Sequence, residues 1–170
     1  AASQHIRIPT NACTIRFVTD FRALNKVTIS DSYQPPATST VINALSGCNW
    51  ISFLDNEKAF WQLAVNEADG SQDMTTFVVP GLGAFKFKRM VMGLRNSSSV
   101  YQAFQDRLLG ASLYQFSAAY IDDCVVFSKT LDRHLEDLQY VMQRNLACGC
   151  SLNLGKSQFC VNEPREFLGY

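Results

Sequence analysis

Two aspartates stand side by side at Asp122 and Asp123, inside an otherwise greasy stretch: Phe116-Ser117-Ala118-Ala119-Tyr120-Ile121-Asp122-Asp123-Cys124-Val125-Val126-Phe127. Adjacent like charges between strand-forming runs are costly unless something positive sits against them. The stretch therefore predicts a hairpin that presents both carboxylates to a cation, with a divalent ion as the natural candidate. A third aspartate, Asp55, ends another strand-like run, Trp50-Ile51-Ser52-Phe53-Leu54. Three carboxylates from such strands suit a pair of Mg²⁺ ions, the core of two-metal phosphoryl-transfer chemistry.

A chain of 170 residues that is 47% hydrophobic can build one compact domain, or a domain of two lobes, with a real core. Its 15 Lys+Arg balance 15 Asp+Glu, so the total charge carries no general attraction to nucleic acid. The distribution says more. Arg7, Arg16, Arg22 and Lys26 face only Asp20 in residues 1–30, and Lys86, Lys88, Arg89, Arg95 and Arg107 face only Asp106 in residues 84–107. The acids gather between Asp55 and Asp73, at Asp122 and Asp123, and near Asp132 and Asp137. Six cysteines contain no C-x-x-C pair, and His5 and His134 are the only histidines, which argues against zinc. Without a signal-peptide pattern, reduced and mostly buried thiols in a cytosolic or nuclear protein are expected. No apolar run reaches the roughly 20 residues that a membrane span needs.

Residues 14–19 read as a strand, and Asp20-Phe21-Arg22-Ala23-Leu24-Asn25-Lys26 as the turn that leaves it. Pro35-Pro36 marks 31–40 as an extended connector, with a short helix over 38–45 closed by Ser46-Gly47. A turn or single helical turn follows the 50–55 strand. Residues 75–90 read as a hairpin with arms 75–79 and 84–90 around Pro80-Gly81-Leu82-Gly83. A helix is expected after Ser97-Ser98-Ser99, with a serine as cap. The 131–148 segment is the clearest helix, with Leu131, Leu135, Leu138, Met142 and Leu146 as its core face and Gly149 as its stop. A last strand is expected over 165–170. The interleaving predicts an α+β domain, an antiparallel sheet with helices on one face.

Several blocks resemble one family in order. Tyr120-Ile121-Asp122-Asp123 resembles the Y-x-D-D box of reverse transcriptases. The 20–26 block resembles their D-[FY]-R-x-L-N-K segment, and Phe53-Leu54-Asp55 with Ala59-Phe60 resembles their first catalytic-aspartate motif. Met92-Gly93-Leu94-Arg95-Asn96-Ser97, Phe127-Ser128-Lys129, His134-Leu135, Leu152-Asn153-Leu154 with Lys156, and Phe167-Leu168-Gly169-Tyr170 complete the series. The wording is similar to that of Gypsy-type LTR retrotransposons and retroviruses.

The resemblance implies a right-hand polymerase fragment: fingers at 1–29 and 65–91, and a palm at 30–64 and 92–170 that ends in the primer grip. It implies Asp55, Asp122 and Asp123 as metal-binding catalytic carboxylates for two Mg²⁺ ions, with Mn²⁺ as a substitute, and Lys156 beside the leaving pyrophosphate. It implies a deoxynucleoside triphosphate bound by Arg16, by the backbone at Lys58 and Ala59, and beside Tyr120, with Phe60 excluding a 2′-hydroxyl. Phe167, Leu168, Gly169 and Tyr170 match the primer grip. The implied partners are an RNA or DNA template with its primer. A thumb and an RNase H region are expected in a parent polyprotein, within an intracellular retroelement particle. The chain departs from the family pattern at Asn56 (usually apolar), Ser98 (usually proline), Val91-Met92 and Gly155.

Taken singly, each feature has a plainer reading. An Asp-Asp pair can be only a turn, Asp55 a helix cap, Arg16 an edge charge, Phe60 and Trp61 core, and Lys156 a surface lysine. Their shared order favours the polymerase. The alternatives are a decayed or domesticated palm that serves as a nucleic-acid or protein binding module, and a palm enzyme of another kind, an RNA-directed RNA polymerase or a nucleotide cyclase. Phe60 argues against RNA synthesis.

Overall fold

The apolar runs flanking the aspartate pair form the two arms of a tight hairpin, and the run ending at Asp55 lies alongside it. The computed structural model describes residues 5–9 and 15–162. Strands β1 (His5–Pro9) and β2 (Ile15–Thr19) come first, then helices α1 (Arg22–Val27) and α2 (Thr38–Ala44). Strands β3 (Trp50–Asp55), β4 (Phe77–Val79) and β5 (Gly83–Phe85) lead to helix α3 (Ser97–Leu109). The chain continues through β6 (Ser117–Tyr120), β7 (Asp123–Ser128), helix α4 (Leu131–Ala147) and β8 (Gln158–Val161). The expected strand over 165–170 lies outside the described residues. Two compact units divide the chain: Ala1–Asp31 with Phe60–Ser97, and Ser32–Ala59 with Ser98–Tyr170.

The second unit is built on an antiparallel four-stranded sheet in the order β6-β7-β3-β8. Strand alternation sends Leu54, Ala119, Cys124 and Val126 to one face, where Leu108 and Leu109 of α3 and Leu138 and Val141 of α4 meet them. Ile51, Ala118, Val125 and Phe127 point to the other face and cluster with Val41 of the short helix α2. Both faces are therefore covered, the two long helices sharing one. Val125, Val126 and Val41 are fully buried; each such side chain contributes roughly 1.5–3 kcal/mol of apolar burial.

Helix α4 is closed at both ends by local chemistry: Thr130 accepts a bond from the Arg133 amide at 3.4 Å, and Gly149 turns the chain at φ 68. Its buried face is not the leucine stripe. Leu131, Leu135, Met142 and Leu146 are exposed, Leu146 by 78%, and only Leu138 of the stripe is buried. The inward face carries His134, Asp137, Leu138, Val141 and Asn145. His134 and Asp137 find partners in the sheet, whereas Asn145 Nδ2 donates to the Val141 carbonyl of its own helix at 2.9 Å. Ser52 Oγ lies 2.7 Å from His134 Nε2, Ser128 Oγ lies 3.1 Å from His134 Nδ1, and Ser128 Oγ donates to Asp137 at 2.8 Å. Arg133 closes an ion pair on Asp137 at 2.9 Å. Buried polar groups so matched lose the penalty that would otherwise turn them outward. Leu135, Leu138, Met142 and Leu146 of the stripe, with Leu152 and Leu154, line an open groove of about 510 Å³.

Four other expectations change. The 20–26 block is a helix, not a turn: the Asp20 carboxylate accepts the Arg22 amide at 2.9 Å and grips its guanidinium with two oxygens, which starts α1. Helix α3 begins at Ser97, whose hydroxyl donates to the Val91 carbonyl at 2.8 Å rather than capping. The 75–90 hairpin is shorter than expected. Beyond Phe85 the chain leaves the ladder, and Lys88 and Met90 bond instead to Val65 and Leu63. Of the five described cysteines, all free, only Cys124 is fully buried.

In the first unit β1 and β2 pair antiparallel, and Phe77 stacks with Phe85 and meets Phe87 in a tilted contact. Two of the motif blocks are stitched together there. Asn25 donates to the Gly93 carbonyl at 2.7 Å and accepts from the Arg95 amide at 2.8 Å. Asn96 donates to the Ile29 carbonyl at 2.8 Å and accepts from the Asp31 amide at 3.1 Å.

Candidate active site

Strands β6 and β7 are joined by only two residues, because Tyr120 and Asp123 are the last register pair. Ile121 and Asp122 make the turn, and Ile121 has φ 55. Positive φ at the first of two central residues is the hairpin geometry that normally calls for glycine. A β-branched residue there stores backbone strain of about 1–3 kcal/mol. Asp122 thus sits at the tip, and Asp123 opens β7.

Asp55 is the direct partner of Asp123 across the β3–β7 ladder. The three aspartates accordingly gather at one end of the sheet. Partial desolvation, then the Asp122 and Asp55 charges, push the Asp123 carboxyl above the usual carboxylate range. The side chain itself remains open to solvent. Among the described residues, no Lys or Arg forms an ion pair with any of the three. Nor does any group of three His, Cys, Asp or Glu side chains there stand in a metal-ligating arrangement. The donor set still fits a hard divalent cation: carboxylate oxygens from adjacent strands and the turn between them, with Asp123 next to two like charges.

The turn is held from two sides by residues that sequence reasoning did not single out as functional. Gln102 of α3, fully buried, accepts the Ile121 amide at 2.7 Å and donates to the Ala119 carbonyl at 3.0 Å. Asn56, also buried, donates to the Asp122 carbonyl at 3.1 Å. Asn56 was visible in the sequence as a departure from the family's apolar residue. Gln102 carries no local signal beyond a polar residue in a helical stretch.

The remaining expected residues fall as follows. Tyr120, half-buried, pairs with Asp123. Lys58 is exposed with φ 52, and the buried Ala59 gives its amide to the Asn56 carbonyl at 3.3 Å. Lys156 is exposed on a loop tied to the Asp55 backbone: the Asn153 amide donates to the Asp55 carbonyl at 2.8 Å, and the Asp55 amide donates to Ser157 Oγ at 3.1 Å. Phe60 is buried and, like Arg16 on β2, belongs to the first unit, whereas the aspartates belong to the second. Phe167, Leu168, Gly169 and Tyr170 lie outside the described residues.

An antiparallel palm-like sheet with aspartates from neighbouring strands at one end belongs to a known class. The sequence profile of the reverse transcriptase (RNA-dependent DNA polymerase) family matches residues 8–170, and the chain belongs to that family. Its relatives are retroelement polyproteins. It is 32% identical over 155 residues to the retrovirus-related Pol polyprotein from transposon 297 of Drosophila melanogaster, covering 91% of this chain and 14% of that protein. To the corresponding polyprotein from transposon gypsy of the same organism it is 30% identical, covering 91% of this chain and 15% of that one. The chain thus spans a small part of these relatives. Among solved structures, it is similar to a foamy viral protease-reverse transcriptase in complex with double-stranded DNA. The TM-score is 0.87 with 26% identity, over 99% of this chain and 29% of the other. Among the described residues, no helix is long and apolar enough to cross a membrane.

Proposed function

We propose that this chain is the fingers and palm of a retroelement reverse transcriptase, and that it extends a primer on an RNA or DNA template by two-metal nucleotidyl transfer from deoxynucleoside triphosphates. The observation that carries the reading is the Asp55–Asp123 pair at the sheet's end, with Asp122 in the adjoining strained turn. The foamy viral relative was solved with double-stranded DNA, which supports a duplex as the partner.

In this reading Asp55, Asp122 and Asp123 hold the metals. A divalent cation held there, Mg²⁺ or Mn²⁺ in its place, would supply Lewis-acid activation of the primer 3′-hydroxyl and charge to offset the leaving pyrophosphate. Arg16 and the backbone at Lys58 and Ala59 bind the triphosphate, where a guanidinium makes bidentate charge-assisted bonds. Tyr120 borders the nucleotide. Phe60 lies against the sugar and rejects a 2′-hydroxyl sterically. Lys156 sets a positive charge beside the pyrophosphate. Phe167, Leu168, Gly169 and Tyr170 hold the primer end. The fingers are residues 1–29 and 65–91, and the palm is residues 30–64 and 92–170. The protein contributes position and charge rather than a covalent intermediate. A thumb and an RNase H region accompany this piece in a parent polyprotein, within an intracellular retroelement particle.

Template–primer extension with Mg²⁺ or Mn²⁺, by the chain alone and fused to a thumb, tests the reading. Extension that disappears in Asp122→Asn while the fold persists is the expected result. Full extension by Asp122→Asn overturns the mechanism.

A further inference from the structure

The backbone of the aspartate turn is gripped on both sides by buried amide side chains, and one of these is a departure from the family pattern. A two-residue hairpin leaves the amide of its first central residue without a partner inside the turn. Here that residue is Ile121, already in a conformation a β-branched side chain resists, with φ 55. Such a conformation persists only when its surroundings over-determine it. Gln102 Oε1 accepts the Ile121 amide at 2.7 Å, and its Nε2 donates to the Ala119 carbonyl at 3.0 Å and to Asp106 at 2.9 Å. Asp106 also accepts the Tyr33 hydroxyl, which anchors the far end of the chain of bonds. From the opposite side Asn56, next in sequence to Asp55, donates to the Asp122 carbonyl at 3.1 Å.

We propose that Asn56 and Gln102 are positioning residues that clamp the turn and set where the Asp122 carboxylate stands relative to Asp55 and Asp123. The proposal rests on the metal-binding reading of those three aspartates. A carboxamide suits the Gln102 position, because its oxygen accepts from one backbone group while its nitrogen donates to another. A glutamate there keeps the acceptor, loses the donor, and faces the Asp106 carboxylate. An apolar residue at position 56 leaves the Asp122 carbonyl without this partner and uncouples the turn from the Asp55 segment. Amides that merely satisfied the core would affect melting alone. Amides that position the turn also affect Ile121 exchange and metal affinity.

The test uses the whole chain with Gln102→Leu, Asn56→Leu, the double variant, and Gln102→Glu as a variant that keeps the acceptor. Amide hydrogen exchange at Ile121 is read by NMR, Mn²⁺ binding by electron paramagnetic resonance without primer, and primer extension as a function of Mg²⁺. Gln102→Leu is expected to speed Ile121 exchange by about tenfold relative to amides in the middle of β7. Each single Leu variant is expected to weaken Mn²⁺ binding and raise the Mg²⁺ needed for half-maximal extension by about fivefold, and the double variant more. Gln102→Glu should hold the Ile121 amide more firmly than Gln102→Leu. Unchanged Ile121 exchange, or unchanged metal affinity beside a lowered melting temperature, overturns the clamp. A wild-type chain that binds no Mn²⁺ overturns the proposed function and the clamp's metal role with it.

Discussion

Asp55 and Asp123 face each other as register partners on adjacent antiparallel strands, an arrangement that sets two carboxylates side by side. Directly opposed like charges on a sheet are destabilising. Asp122 adds a third charge next door, and partial desolvation together with these neighbours holds the Asp123 carboxyl above its usual range.

That repulsion has a measurable consequence at neutral pH. Asp123→Asn removes one of the three neighbouring charges, so the variant should melt higher than the wild type in EDTA. Mg²⁺ should raise the melting temperature of the wild type by mass action, and that of Asp123→Asn by much less. Calorimetry of both proteins with and without Mg²⁺ checks the pair of outcomes. A variant that melts lower in EDTA would remove the repulsion argument.

Phe60 is buried on the turn that follows Asp55. Under the proposed function, Phe60→Ala should admit ribonucleotides, with the largest change in the ratio of kcat/KM for deoxy- over ribonucleoside triphosphates. An added oxygen in a tight apolar pocket is worth about 1–3 kcal/mol of discrimination. Single-nucleotide insertion kinetics with matched dATP and ATP measure it, and an unchanged ratio would remove Phe60 from the sugar-selecting role.

His134 is fully excluded from solvent between α4 and the sheet. Burial lowers its pKa, with Asp137 opposing in part. The groups facing it are Ser52, Ser128 and Asp137, with Arg133 paired to Asp137. A histidine whose folded pKa is depressed favours the fold while neutral. Its contribution is therefore present above the unfolded value of about 6.5 and is lost as pH falls through the lower folded value. Denaturant unfolding at pH 7.5 and 5.0 should show the wild type losing stability on acidification, and His134→Gln should lose less. Equal pH slopes would show that the ring does not titrate with unfolding.

The two sides of α4 give opposite expectations for leucines eight residues apart. Leu138→Ala should cost about 2–4 kcal/mol, since it opens a cavity among Leu54, Cys124 and Val141. Leu146→Ala, at 78% exposure, should change stability by no more than about 0.5 kcal/mol. Urea midpoints of the two variants decide whether the stripe or the polar-matched face is the packed one.

The sequence alone determined what local chemistry controls. It was enough to identify the hairpin around the aspartates, the strand that ends at Asp55, the glycine stop of α4, and the collinear blocks that mark the family. Each of these is encoded within a few residues by alternation, capping or an ordered motif. Tertiary structure alone decided which face of α4 turns inward, because Ser52 and Ser128 satisfy His134 and Asp137 from strands distant in sequence. It also decided that β8 joins the sheet and that Asn56 and Gln102 grip the turn. Hydrogen bonds spanning 66 and 19 residues, from Asn56 to Asp122 and from Ile121 to Gln102, have no spacing rule to announce them. They exist only once packing has brought the partners together and excluded the water that would otherwise compete.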